Sequence, residues 1–161
     1  MITPLILDDF LPFRLSYTSN LVSDSIARAY AALFGLTIPE WRLVTVVAET
    51  GGISQNAIGQ RTRMDKVTVS RAAAALVDRA LLERQASPTD RRSHLLVLSD
   101  AGRTLYAAVA PKAIDLERRI FAAFTANELA GFVTMLRRID AEVLALDQES
   151  HGGAGDHSPR R

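Results

Sequence analysis

Two short amphipathic segments, 55–61 and 65–80, are separated only by Thr62-Arg63-Met64. A connection that tight forces two helices to cross steeply, which is the helix-turn-helix arrangement. Directly afterwards the apolar period changes. Segments 82–86 and 94–98 read as strands around the polar stretch Ser87-Pro88-Thr89-Asp90-Arg91-Arg92-Ser93, which predicts a hairpin with a charged tip.

Long helices are expected on either side, because glycine and proline punctuate the chain sparsely. The first spans about 9–33, with Leu11, Leu15, Leu21, Val22, Ile26 and Tyr30 as apolar positions and Pro12 in its first turn, where a missing N–H costs little. Gly35 is its expected stop. Thr37-Ile38-Pro39-Glu40 has the spacing of a capping box and opens a helix that carries Trp41, Val44, Val47 and Ala48 inward and ends at Gly51-Gly52. Ser54 and Asp65 are the expected caps of the two short helices. Ser99 caps a further helix, about 100–124, which Pro111 should kink or divide. Thr125-Ala126-Asn127-Glu128 is a second capping box. Beyond it Leu129, Phe132, Leu136, Ile139, Val143 and Leu146 recur in steps of three and four, an apolar seam like those between packed helices. Residues 150–161 hold no apolar side chain beyond alanine and read as a disordered tail. No internal repeat is present.

The chain carries 19 Lys+Arg against 18 Asp+Glu, a net charge of +1 that by itself suggests no anionic partner. The balance hides an asymmetry. Residues 61–92 contain eight basic side chains (Arg61, Arg63, Lys66, Arg71, Arg79, Arg84, Arg91, Arg92) and four acidic ones, a net of +4 that leaves −3 for the remainder. The excess falls on the two-helix unit and hairpin, where duplex phosphates would be met.

At about 100° per residue, Val69, Ala73, Leu76 and Ala80 share one face of the second short helix and should pack inward. Val67, Ser70, Arg71, Ala74 and Asp78 face the opposite way, flanked by Lys66 and Thr68. Arginine can bond guanine bidentately, and a methyl-bearing Val or Thr can touch a thymine methyl. The alanines at 72–75 keep the helix slim enough for a major groove. Arg91 and Arg92 at the hairpin tip suit a narrow, electronegative minor groove, with Asp90 expected to orient one of them by an ion pair. The DNA-contact set is therefore Arg63, Lys66, Val67, Thr68, Ser70 and Arg71 from the two-helix unit, with Asp90, Arg91 and Arg92 from the hairpin.

The chain resembles the MarR family of bacterial winged helix-turn-helix regulators. The resemblance is carried by Asp65-Lys66-Val67-Thr68-Val69-Ser70-Arg71, then Leu76, Leu81 and Glu83-Arg84, and by Asp90-Arg91-Arg92-Ser93 leading to Leu96, Leu98 and Ser99-Asp100-Ala101-Gly102. Pro39-Glu40-Trp41-Arg42 is similar too, and the likeness covers residues 8–147. It implies a mainly α fold with a small β-hairpin wing. The winged helix-turn-helix lobe would occupy 37–99, and dimerisation helices 8–35 and 100–147, within a single domain of residues 1–149. It also implies a cytoplasmic homodimer that binds a pseudo-palindromic operator in double-stranded DNA. Such a regulator represses a nearby operon until a small aromatic molecule binds between the dimer helices and the DNA lobe. Phe13, Arg14, Tyr17 and Trp41 are the candidate ligand residues, an aromatic lining with one cation. Where the family often has Gly, this chain has Ala80, so a less sharply left-handed helix end is expected there.

Other classes fit less well. The three histidines, His94, His151 and His157, form no paired metal spacing, although the two in the tail with Asp156 could catch a metal adventitiously. No Gly-rich phosphate loop or Gly-x-Ser-x-Gly elbow appears, so no enzyme and no cofactor is expected. Cysteine is absent, which excludes disulfides and thiol redox sensing. No apolar run approaches the roughly 18 residues of a membrane span, and the first residues lack a signal pattern, so no membrane partner is expected. A regulator without a ligand, or a helical module that binds another protein, are the remaining alternatives.

Overall fold

The computed structural model describes residues 5–87 and 94–152, the last three as backbone alone. The chain falls into two units, Met1–Glu117 and Arg118–Arg161. In the first, a 3-10 turn at Leu7–Asp9 precedes helix α1 (Leu11–Phe34), with Pro12 in its opening turn as expected. Gly35 ends α1 in the left-handed conformation, φ 59°. Helix α2 (Ile38–Thr50) starts on the anticipated capping box: the Thr37 amide donates to Glu40 Oε2 at 2.7 Å, and the Glu40 amide donates to Thr37 Oγ1 at 3.3 Å. Gly51 ends it, again left-handed at φ 72°.

Helices α3 (Gln55–Thr62) and α4 (Lys66–Asp78) follow, then strands β1 (Leu82–Ala86) and β2 (His94–Leu98). The strands pair antiparallel in the register Leu82↔Leu98 to Ala86↔His94, which is the expected hairpin. One feature of this sheet had no signal in the sequence. Ile53, in the short link after α2, forms an isolated bridge to Leu96, donating to its carbonyl at 3.1 Å and accepting from its amide at 2.9 Å. A single bridging residue has no period to be recognised by.

The core of this unit is built from one stripe of each helix. Leu43, Val44 and Val47 of α2, Ile58 of α3, and Val69, Ala73 and Leu76 of α4 are buried with Leu82 and Leu96 of the strands. Tyr30, Leu36 and Val109 extend it. By area bookkeeping each such aliphatic side chain contributes about 1.5–3 kcal/mol relative to exposure, so this stripe is what holds the helices at fixed angles.

Two expectations are corrected here. Helix α4 stops at Asp78, and Ala80 does not pack inward: it is exposed and left-handed, φ 54°. Its amide donates to Val77 O at 2.8 Å, and the Leu81 amide reaches back to Leu76 O at 2.9 Å. That is the Schellman pattern of bonds. The tight left-handed exit is therefore complete without glycine, because the burial of Leu76, Leu81 and Leu82 offsets the strain on an alanine. Helix α5 (Asp100–Ile120) is not divided at Pro111. A proline φ is compatible with a helix, and the acceptor left without a donor is the carbonyl of exposed Ala107, which water can reach.

In the second unit, helix α6 (Ala126–Gly152) begins on the second capping box, with the Thr125 amide 2.7 Å from Glu128 Oε2. It runs three residues into the segment expected to be a tail; 153–161 lie outside the described residues. Along α6, Phe132, Ile139 and Val143 of the expected seam are exposed in the single chain.

Candidate nucleic-acid interface

The helix-turn-helix is held by its caps. Ser54 Oγ accepts from the Ala57 amide at 3.2 Å to start α3. The turn closes through Arg63, left-handed at φ 58°, while Thr62 Oγ1 donates to Ile58 O at 2.7 Å. Gly59 lets this turn fold tightly, since a Cβ there would lie 3.3 Å from Met64 O. Asp65 caps α4 twice over: Oδ1 accepts from the Thr68 amide at 2.9 Å and Oδ2 from the Thr68 hydroxyl at 2.6 Å. These bonds, the hydroxyl foremost, hold the Asp65 carboxyl below the usual carboxylate range.

The buried apolar stripe decides which side of α4 meets solvent. Val69, Ala72, Ala73 and Leu76 are buried, while Lys66, Val67, Ser70 and Arg71 are exposed; Thr68 is half-buried beside its cap. Val67 is 57% exposed, an apolar side chain left on a polar face. Among the described residues no carboxylate pairs with Arg63, Lys66 or Arg71, whereas Arg61 is tied to Glu49 at 2.6 Å. Three unengaged cations thus stand along the turn and the first two turns of α4.

A groove of about 710 Å³ runs between α3 and α4 along this edge. Besides Arg63, Lys66 and Ser70 it is lined by Gln55, Asn56 and Gln60, which sequence reasoning missed. Their signal was available: polar amides at i, i+1 and i+5 of the first helix share an edge whenever its apolar residues face the core. Asp90, Arg91 and Arg92, with the ion pair expected among them, lie outside the described residues.

The candidate ligand residues divide into two places. Phe13 and Tyr17 have ring centroids 5.9 Å apart, and the Arg14 guanidinium lies 5.4 Å over the Tyr17 ring while bonding Asp8 at 2.8 Å. Trp41 instead joins Tyr30, edge-on at 5.6 Å, and Tyr106, stacked at 5.8 Å. Tyr17 and Tyr30 are thirteen residues apart on α1, about 20 Å at ~1.5 Å per residue. One chain therefore does not bring Trp41 to Phe13, Arg14 and Tyr17. Burial raises the Tyr30 hydroxyl above the ordinary tyrosine pKa, and a hydrogen bond with Trp41 offsets part of the rise. The meeting of Trp41 with Tyr30 and Tyr106 escaped sequence reasoning, because it depends on how α1, α2 and the distant α5 pack together.

Among the described residues no three His, Cys, Asp or Glu side chains gather as a metal site, and no single helix is long and apolar enough to cross a membrane.

Comparison with known proteins agrees with this geometry. The sequence profile of the MarR family matches residues 34–93, the span from the α1 terminus to the hairpin tip. The transcriptional regulator HosA of Escherichia coli O111:H- is 24% identical over 120 residues, covering 74% of this chain and 89% of HosA. A probable transcriptional regulator from Pseudomonas aeruginosa of known structure is 30% identical with a TM-score of 0.71, covering 83% of this chain and 99% of its own. Bordetella bronchiseptica BpsR, whose DNA binding is regulated by 6-hydroxynicotinic acid, shares the fold at a TM-score of 0.77 and 22% identity, covering 86% of this chain and 98% of its own. With a winged helix whose α4 presents unpaired cations, and with relatives that are regulators rather than enzymes, the chain belongs to the MarR family of transcriptional regulators.

Proposed function

We propose that this regulator is a homodimeric repressor that reads a pseudo-palindromic operator through α4 and is released by a small aromatic ligand. The observation that carries the DNA contact is the exposed edge of the turn and α4, where Arg63, Lys66 and Arg71 have no carboxylate partner among the described residues and Val67 is left uncovered. Unpaired cations in that position neutralise phosphates, and Arg71 with Val67 supplies the base-edge contacts. Thr68 and Ser70 flank them, and Asp90, Arg91 and Arg92 serve the minor groove. A dimer is supported by apolar side chains exposed in the single chain, namely Leu11, Leu15 and Leu21 on α1 and Ile139 and Val143 on α6. Two lobes joined that way can meet half-sites about one helical turn apart.

The test is an electrophoretic mobility-shift titration with an operator selected from a random duplex library, repeated across salt concentrations. The wild-type chain should lose affinity steeply with salt. Arg71→Ala should relax base preference, whereas Arg63→Ala should weaken all sequences alike and lower the salt slope by about 1. Absence of any duplex binding at low salt sinks the reading in favour of a protein-interaction module.

Ligand release has a competing reading, a regulator with no effector, and one observation favours it: Arg14 is already paired with Asp8 at 2.8 Å. Calorimetric titration with a panel of hydroxylated aromatic acids separates the two. Heat of binding that disappears on Arg14→Ala supports the effector; no heat from any compound supports the competing reading.

A further inference from the structure

The guanidinium of Arg79, at the end of α4, donates to Gly35 O at 3.0 Å and lies 3.8 Å from Glu40 Oε1. Three element ends meet there. Gly35 is the left-handed cap of α1, so its carbonyl belongs to the partially negative end of that helix dipole. Glu40 is the third residue of α2, and only 8% of it is exposed. Its other oxygen, Oε2, is occupied by the Thr37 amide at 2.7 Å and hydroxyl at 3.0 Å. Oε1 therefore has one cation to face, and that cation arrives from the recognition helix. No other charged side chain among the described residues is buried. A buried carboxylate is costly to leave without its cation, which favours keeping the Arg79 guanidinium against Glu40.

Resting on the reading that α4 enters DNA, we propose that Arg79 is a positioning residue for operator binding. It touches no DNA. It latches the end of α4 to the corner between α1 and α2 and so sets the angle at which Lys66, Val67, Ser70 and Arg71 are presented. Van der Waals packing along the core stripe holds the middle of α4, and the latch fixes its far end.

The experiment uses the full chain and the selected operator, with Arg79→Ala, Arg79→Lys and Glu40→Gln. Gln at position 40 can keep the capping box, so that variant removes charge without undoing the start of α2. Arg79→Ala should bind roughly tenfold more weakly at every salt concentration, a loss of the size expected from a group acting through a neighbour. The salt slope and base preference should stay at the wild-type values. Arg79→Lys should recover part of the loss, and Arg79→Ala combined with Glu40→Gln should bind no worse than Arg79→Ala alone. Unchanged affinity in Arg79→Ala overturns the latch. A salt slope reduced by about 1 also overturns it, because Arg79 would then be a phosphate contact. If the wild-type chain selects no duplex, the DNA reading itself fails. The latch is then judged by hydrogen exchange of the free protein: Arg79→Ala should speed exchange at the Leu36 and Leu81 amides, and unchanged protection there overturns it.

Discussion

Ala80 occupies a backbone state that alanine normally avoids. A left-handed L-residue costs roughly 1–2 kcal/mol, and at φ 54° the chain carries that strain at the exit of α4. Ala80→Gly should therefore raise stability by about 1 kcal/mol, less whatever is lost through a freer unfolded chain. Thermal unfolding of the two proteins at equal concentration checks this, and a lower midpoint for glycine counts against it. Gly102 is the opposite case. A Cβ there would lie 2.0 Å from Leu81 O, so Gly102→Ala must push the start of α5 off the hairpin base. Overpacking of this kind costs about 1–3 kcal/mol, measurable in the same assay. Sequence alone marked Ala80 as a departure from the family but could not set its φ, because that angle is imposed by core residues on both sides. Gly102 was legible only as part of a motif; its reason is the carbonyl of a residue twenty-one positions earlier.

Helices announced their starts more clearly than their ends. The Thr37/Glu40 and Thr125/Glu128 boxes, Ser54, Asp65 and Ser99 all cap as expected, since a cap is a local bond between residues two or three apart. Where no glycine marks them, as Gly35 and Gly51 do, ends are decided by what lies beyond, as at Asp78 and Ile120. The Asp65 cap carries a pH signature. Its carboxyl is held below the ordinary carboxylate range in the folded chain, so its contribution is complete above that range. It is lost as pH falls through the lowered folded value. Asp65→Asn caps comparably without titrating. The acid limb of stability against pH should therefore flatten in Asp65→Asn, and a limb of unchanged steepness excludes this cap as a contributor.

At the scale of the molecule, the near-neutral total conceals where the charges stand. The +4 segment 61–92 is the one that carries α4 and the hairpin, while α1 and α6 each expose several large apolar side chains. The heptad-like spacing of α6 was legible as a seam, but whether it faced a core or another chain was not, because the same period serves both. Ile139 is 42% exposed and Val143 47%. If these positions are covered by a second copy, Ile139→Glu with Val143→Glu places uncompensated charge in an apolar interface. Sedimentation velocity should then report the mass of one chain where the wild type reports two, with operator affinity falling alongside. A wild-type mass of one chain, or a double variant that stays paired, refutes the assembly.

The grouping of Trp41 with Tyr30 and Tyr106 gives the protein an intrinsic optical gauge. Trp41 is the only tryptophan, and its ring neighbours come from α1 and α5 while it rides on α2. Tyrosine transfers excitation to a nearby indole, and indole emission shifts with the polarity around it. Any change in the spacing of these three helices should thus alter one indole emission band, in an unlabelled protein with no second tryptophan to confuse the assignment.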